Sequence, residues 1–184
     1  MQILLFCLIC CPGQALVSGP ALGERPGPYS FVVSQGEKRG QLHCFVCEAE
    51  DRPMVILFAR VPSPEAGNLA ARLDQILLAN PDAKPAGWVT FLAGDASSID
   101  TQALKWSRDH ALRALAVGYF EDPVGPPSYS ISPQAELTVL VARDKKVVHR
   151  HAFAAGGPDM AAISRVGDDL EKLLKTVKTL TGAK

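Results

Sequence analysis

At 184 residues the chain is long enough for one domain with a substantial core, and 47% hydrophobic with 21% charged residues is ordinary for a globular protein. Its 19 Lys+Arg balance 19 Asp+Glu, and no basic stripe interleaves with aromatics. Nucleic-acid binding is therefore excluded for want of an electrostatic footprint.

The first residues, "MQILLFCLICCPGQA", form a short apolar run that ends in small side chains. Ile3 to Cys11 is too short for a permanent membrane span. Gly13 and Ala15 stand where an A-x-A-like cleavage site needs small residues, which predicts a secretory signal peptide cut after Ala15. No Lys or Arg stands near the start, so a misplaced start methionine and a buried strand are the alternatives. A lipoprotein anchor on Cys11 is disfavoured, because Cys10 occupies the place of a small residue. The signal reading makes the protein exported, periplasmic or secreted. It divides the chain into a signal peptide (1–15), a Gly/Pro-rich lead-in (16–27) and one domain (28–180). Cys7, Cys10 and Cys11 would leave with the signal, and the remaining Cys44 and Cys47 are expected to pair.

Residues 16–30, "LVSGPALGERPGPYS", predict an extended segment without a helix. "YSFVVSQ" (29–35) alternates as a strand, "GEKRG" (36–40) is a turn, and "QLHCFV" (41–46) is predicted to return as a second strand. "PMVILFAR" (53–60) is nearly all apolar and fits a strand buried on both faces. In 63–78, Ser63 can cap a helix, Pro64 suits its first position and Glu65 its positive end. Leu69, Leu73, Ile76 and Leu77 form its apolar stripe. A strand over 87–93 and a helix over 101–113, capped by Asp100, follow. Next come a short strand (114–120), a proline-rich loop (121–133), a hairpin (136–143 and 147–154) and a last helix over about 159–179. This order predicts an α/β fold: a mixed central sheet with helices on both faces and an added N-terminal β-hairpin. The core should centre on Val55, Ile56, Leu57 and Phe58, flanked by Val89, Phe91, Val139 and Val141.

The segments "LGERPGPYSF", "RPMVILFAR" and "SPQAELTVLVARDKKVV", in this order, resemble the thioredoxin-like superfamily in its peroxiredoxin-like variant. The resemblance covers residues 22–180 and implies a thioredoxin-like domain. More narrowly, the chain is similar to exported bacterial thioredoxin-like proteins whose Cys-x-x-Cys lies just ahead of the central strand. One departure is plain. After "VILFAR" the family places its catalytic thiol at the head of a helix, whereas this chain has "VPSPEAG" (61–67), with neither Thr nor Cys. The family's catalytic residues therefore do not carry over. Pro133 is the nearest match to the cis-proline that faces the thioredoxin site.

Three readings of Cys44 and Cys47 stay open: a redox-active pair, a structural disulfide, and metal ligands or free thiols. Cysteines three apart in extended chain lie about 10 Å apart, whereas a disulfide needs Cα atoms within roughly 7 Å. Phe45 and Val46 must therefore turn if the pair is bonded. We expect the cysteines on the hairpin or its exit turn, away from a helix N-terminus. Glu48, Glu50 and Asp51 disfavour a thiolate there, and only Arg52 and a protonated His43 oppose them. The metal reading would use His43, Cys44 and Cys47, joined by His149 and His151, which share one face of a strand. One Cys-x-x-Cys is a weak zinc signal, and no cofactor is expected. A redox-active pair would need a protein partner, which the sequence does not identify. Trp88 and Trp106 read as core or half-buried aromatics, and His110 as a surface or capping residue. Ser128, Ser130 and Ser132 lack a nucleophile elbow.

Overall fold

A computed structural model describes residues 16–182. The predicted signal peptide and its three cysteines lie outside the described residues. The strands are β1 (Phe31–Val33), β2 (Leu42–His43), β3 (Met54–Ala59), β4 (Ala86–Leu92), β5 (Ala116–Phe120), β6 (Leu137–Arg143) and β7 (Lys146–Phe153). The helices are α1 (Phe45–Ala49), α2 (Pro64–Leu78), α3 (Ala96–Asp109) and α4 (Met160–Gly182). Two 3-10 turns, Pro81–Ala83 and Pro127–Tyr129, complete the set. No described helix is long and apolar enough to cross a membrane.

The strands form one seven-stranded sheet in the order β2-β1-β5-β4-β3-β6-β7. Strands β3, β4 and β5 run parallel, and the other pairings are antiparallel. Every residue of β3 is buried, as its unbroken apolar run predicts. Val55 and Leu57 face the long helices α2, α3 and α4. Ile56 and Phe58 face the opposite layer, which contains Ala49 of α1 and the aromatic rings of Tyr29, Phe31 and Tyr129. The mixed sheet, the helices on both faces and the N-terminal hairpin are thus present, with the second face carrying, among the described residues, one short α-helix.

Helix α2 starts as predicted: the Ala66 amide donates to Ser63 Oγ at 3.2 Å, and Pro64 takes the first helical position. Three boundaries differ from expectation. Helix α3 begins at Ala96, because Asp95 caps it by accepting the Ser97 amide at 3.1 Å. Asp100 stands inside the helix and meets Arg39 at 3.5 Å. Strand β5 begins at Ala116, because the amides of Arg113, Ala114 and Leu115 all donate to the buried Asp74 carboxylate. Strand β2 is only two residues long, and the chain turns directly into α1.

The hairpin is held close to β5 by a missing side chain. A Cβ on Gly118 would lie 2.1 Å from the Val32 carbonyl oxygen, so only glycine lets β1 pair there. The lead-in runs along β7: the Gly23 amide donates to Val147 O at 2.8 Å, and Arg150 reaches Gly19 O at 2.8 Å.

Candidate functional site

Cys44 and Cys47 are joined in a disulfide with their Cα atoms 5.3 Å apart. The required turn is α1 itself. Residues three apart in a helical turn lie on one face, which brings the two sulfurs together without a wide loop. The expectation that the cysteines avoid a helix N-terminus is therefore corrected. His43 ends β2, Cys44 caps α1, and the Cys47 amide donates to Cys44 Sγ at 3.3 Å. Such a bond favours negative charge on Cys44 once the pair is reduced. Cys47 is exposed, whereas Cys44 is half-buried.

Aromatic packing fixes the turn to the sheet. The Phe45 ring, between the two cysteines, stacks on buried Trp88 at 5.7 Å and lies 5.4 Å from Phe31. Trp88 donates to the Tyr29 hydroxyl at 2.7 Å, which in turn meets Thr90 Oγ1 at 2.8 Å. Burial pushes the Tyr29 hydroxyl well above its ordinary range, so it stays protonated as a neutral member of this chain. At the other end of α1, Arg52 donates to Glu48 O at 2.9 Å and to Ala49 O at 3.2 Å, satisfying carbonyls the short helix leaves open.

Charged groups bracket the disulfide. Glu48 Oε2 meets Lys38 Nζ at 2.6 Å and His43 Nε2 at 2.5 Å. The 43–48 contact thus spans the same loop that the 44–47 disulfide closes. Hydrogen bonds from Lys38 and then His43 hold the Glu48 carboxyl below its ordinary range. A lowered carboxyl adds stability above the unfolded value and loses it as pH falls through the folded one. Glu48→Gln is therefore expected to lower stability at pH 7 by less than about 1 kcal/mol, because the cluster is solvent-screened. The difference from the parent should vanish in acid below the carboxylate range, as read by chemical denaturation. A difference that is independent of pH would exclude an ionic role for Glu48.

A pocket of about 110 Å³ adjoins Cys47 and is lined also by Arg25, Pro26, Val46, Glu50, Met54 and Lys145. Cys44 does not line it.

His149 and His151 do share one face of β7, but both turn to Asp169 of α4, at 3.4 and 3.2 Å. Burial pushes His151 below its ordinary range, and Asp169 opposes that shift. Strands β2 and β7 are the two outer strands of the sheet, so these histidines do not join His43, Cys44 and Cys47 at one centre. Among the described residues no group of three or more His, Cys, Asp or Glu is placed to hold a metal ion.

The head of α2 is filled. Trp106 Nε1 donates to Ser63 O at 2.9 Å, and His110 packs over Gly67 so closely that a Cβ there would lie 1.9 Å from its Nε2. His110 is the capping residue at the end of α3, half-buried against Gly67. Both tryptophans are buried, as expected. No described peptide bond is cis, Pro133 included. The proline-rich loop is tied down by Arg60, which donates to the carbonyls of Pro123, Ser132 and Ala135.

By sequence the chain matches no family profile and no curated protein. By structure it is thioredoxin-like. A candidate protein disulfide isomerase from Bacteroides thetaiotaomicron superposes with a TM-score of 0.67 at 10% identity, covering 88% of this chain and 95% of the other. A candidate thiol:disulfide interchange protein, DsbE, from Chlorobium tepidum gives 0.61 at 12% identity, covering 84% and 98%. A secreted disulfide oxidoreductase of Mycobacterium tuberculosis gives 0.51 at 12% identity, covering 80% and 95%. At these identities the likeness establishes the fold and leaves the activity to the residues themselves.

Proposed function

We propose that this is an exported thiol-disulfide redox protein whose working couple is Cys44/Cys47, displaced from the head of α2 to the turn ahead of the central strand. The observation that carries this reading is a disulfide at the surface with one cysteine exposed and the other cysteine's sulfur accepting an amide hydrogen bond. Attack on a disulfide needs access to one sulfur and a stabilised leaving thiolate on the other, and this turn supplies both. Its partners would be protein thiols or disulfides, consistent with what the three structural neighbours are named for. Export is supported by the apolar start with Gly13 and Ala15 and by the pairing of the cysteines.

The test is equilibration of the folded protein with dithiothreitol redox buffers, read beside insulin reduction. A two-electron transition without unfolding, abolished by Cys44→Ser or by Cys47→Ser, is the expected result. Glu48 pairs with Lys38 and Asp51 with Lys145, so the acidic run sets less negative charge around the pair than its sequence alone implies. A disulfide that is reduced only when the protein unfolds would make the pair a structural clip.

A further inference from the structure

Granting that reading, we infer that the two cysteines have fixed and different roles: Cys47 is the sulfur that exchanges with the partner, and Cys44 is the sulfur that leaves and later resolves. Three features of the site agree. Cys47 is exposed and Cys44 is half-buried. The Cys47 amide donates to Cys44 Sγ, so the negative charge released on breaking the bond is best held on Cys44. The pocket lies against Cys47 alone.

In the oxidising direction a partner thiolate attacks Cys47 Sγ. A partner–Cys47 disulfide forms, the Cys44–Cys47 bond breaks, and its electron pair leaves on Cys44 as a thiolate. A second thiolate from the same partner then attacks the partner sulfur of the mixed disulfide. The partner departs as a disulfide and Cys47 as a thiolate, so two electrons have passed to the protein. In the reducing direction the Cys47 thiolate attacks a partner disulfide and expels one partner thiolate. Cys44 then attacks Cys47 Sγ, expels the other, and restores its own disulfide. A leaving thiol whose thiolate is stabilised leaves faster, which suits Cys44 to its part in the first direction.

The pocket also indicates the class of partner. Its floor combines buried Pro26 and Met54 with half-buried Val46, and Arg25, Glu50 and Lys145 stand on its rim. At about 110 Å³ it has room for one short side chain beside the incoming sulfur. The partner is therefore a peptide or protein cysteine flanked by a small aliphatic residue.

Two isosteric variants of the full chain, each with Cys7, Cys10 and Cys11 also replaced by Ser, test the assignment. Cys44→Ser leaves Cys47 as the exchanging thiol, and Cys47→Ser leaves Cys44. Each reduced variant is mixed with oxidised glutathione, and adduct formation is followed by mass spectrometry across a pH series, so that rates are compared per thiolate. Cys44→Ser is expected to form its adduct about 10-fold faster or more, the scale set by access to the sulfur. Equal rates, or a faster Cys47→Ser, would overturn the assignment. Far-UV circular dichroism establishes that both variants are folded. The pocket is probed separately with Cys-containing peptides flanked by Val or by Trp: an advantage for Val is expected, and no preference would remove the partner class. Failure of the parent protein to equilibrate with dithiothreitol would count against the redox reading itself. A rate order that is wrong in an equilibrating protein counts against the roles alone.

Discussion

Asp74→Ala is expected to cost at least about 3 kcal/mol, because it strands three backbone donors in a poorly hydrated site. The carboxylate is almost fully buried on α2, and its Oδ1 accepts the amides of Arg113, Ala114 and Leu115 at 3.0, 2.7 and 2.8 Å. Those amides belong to the segment that leaves α3 and starts β5, so their own strand partners are not yet available. One oxygen therefore fixes where the crossover ends. Asp74→Asn retains an acceptor at similar distance and should lose less, since a neutral oxygen makes weaker bonds than a charged one. Urea denaturation at neutral pH reads both variants. A loss under about 1 kcal/mol for the Ala variant, with unchanged m, would mean that water reaches the three amides readily.

Leu57→Ala should cost roughly 2–5 kcal/mol, the range for a large aliphatic side chain lost from a packed core. Leu57 is 0% exposed and sits in the central strand, with Val89 of β4 on one side and Val139 of β6 on the other. All three side chains face the layer of α2, α3 and α4. Backbone pairing on both sides limits collapse into the space left behind. The contrasting substitution is Leu42→Ala, whose side chain is 71% exposed on the edge strand and should change stability little. Chemical denaturation of the two variants side by side decides the matter. Similar losses for both would show that burial is not what sets the cost.

Elements with strong local signals were legible in the sequence. Ser63, Pro64 and Glu65 announce the start of α2, and the apolar run around Leu57 announces a central strand, because caps and runs are short-range features. Helix α1 was hidden for the opposite reason. Five residues hold little more than one turn, too few to show a helical period, and a cysteine is an unusual cap. The turn is held by the Cys44–Cys47 disulfide, which forms only once the chain has folded back on itself, and by Phe45 packing on Trp88, a residue far downstream. Helix α3 was misplaced because both Asp95 and Asp100 can cap, and only the folded chain chooses. Glu48 read as one member of an acidic run, yet Lys38 arrives from the hairpin turn to pair with it. Asp74 gave no sign at all: its partners lie 39 to 41 positions downstream. The cysteine pair itself was visible, while the asymmetry between its two sulfurs required the turn to be seen.

The placement of β1 between β2 and β5 carries a consequence in time. Val32 and Val33 pair with Tyr119 and Gly118, so the hairpin cannot dock until roughly 85 further residues have been made. At about 5–20 residues per second, that interval lasts on the order of 4–17 seconds. For about the last 71 of those residues Cys44 and Cys47 are already synthesised, only three positions apart, and not yet held to the sheet through Phe45. Closing so small a loop is a local event that needs no finished sheet. The oxidants or reductants that the nascent chain meets in that interval therefore act on the pair before the sheet assembles around it.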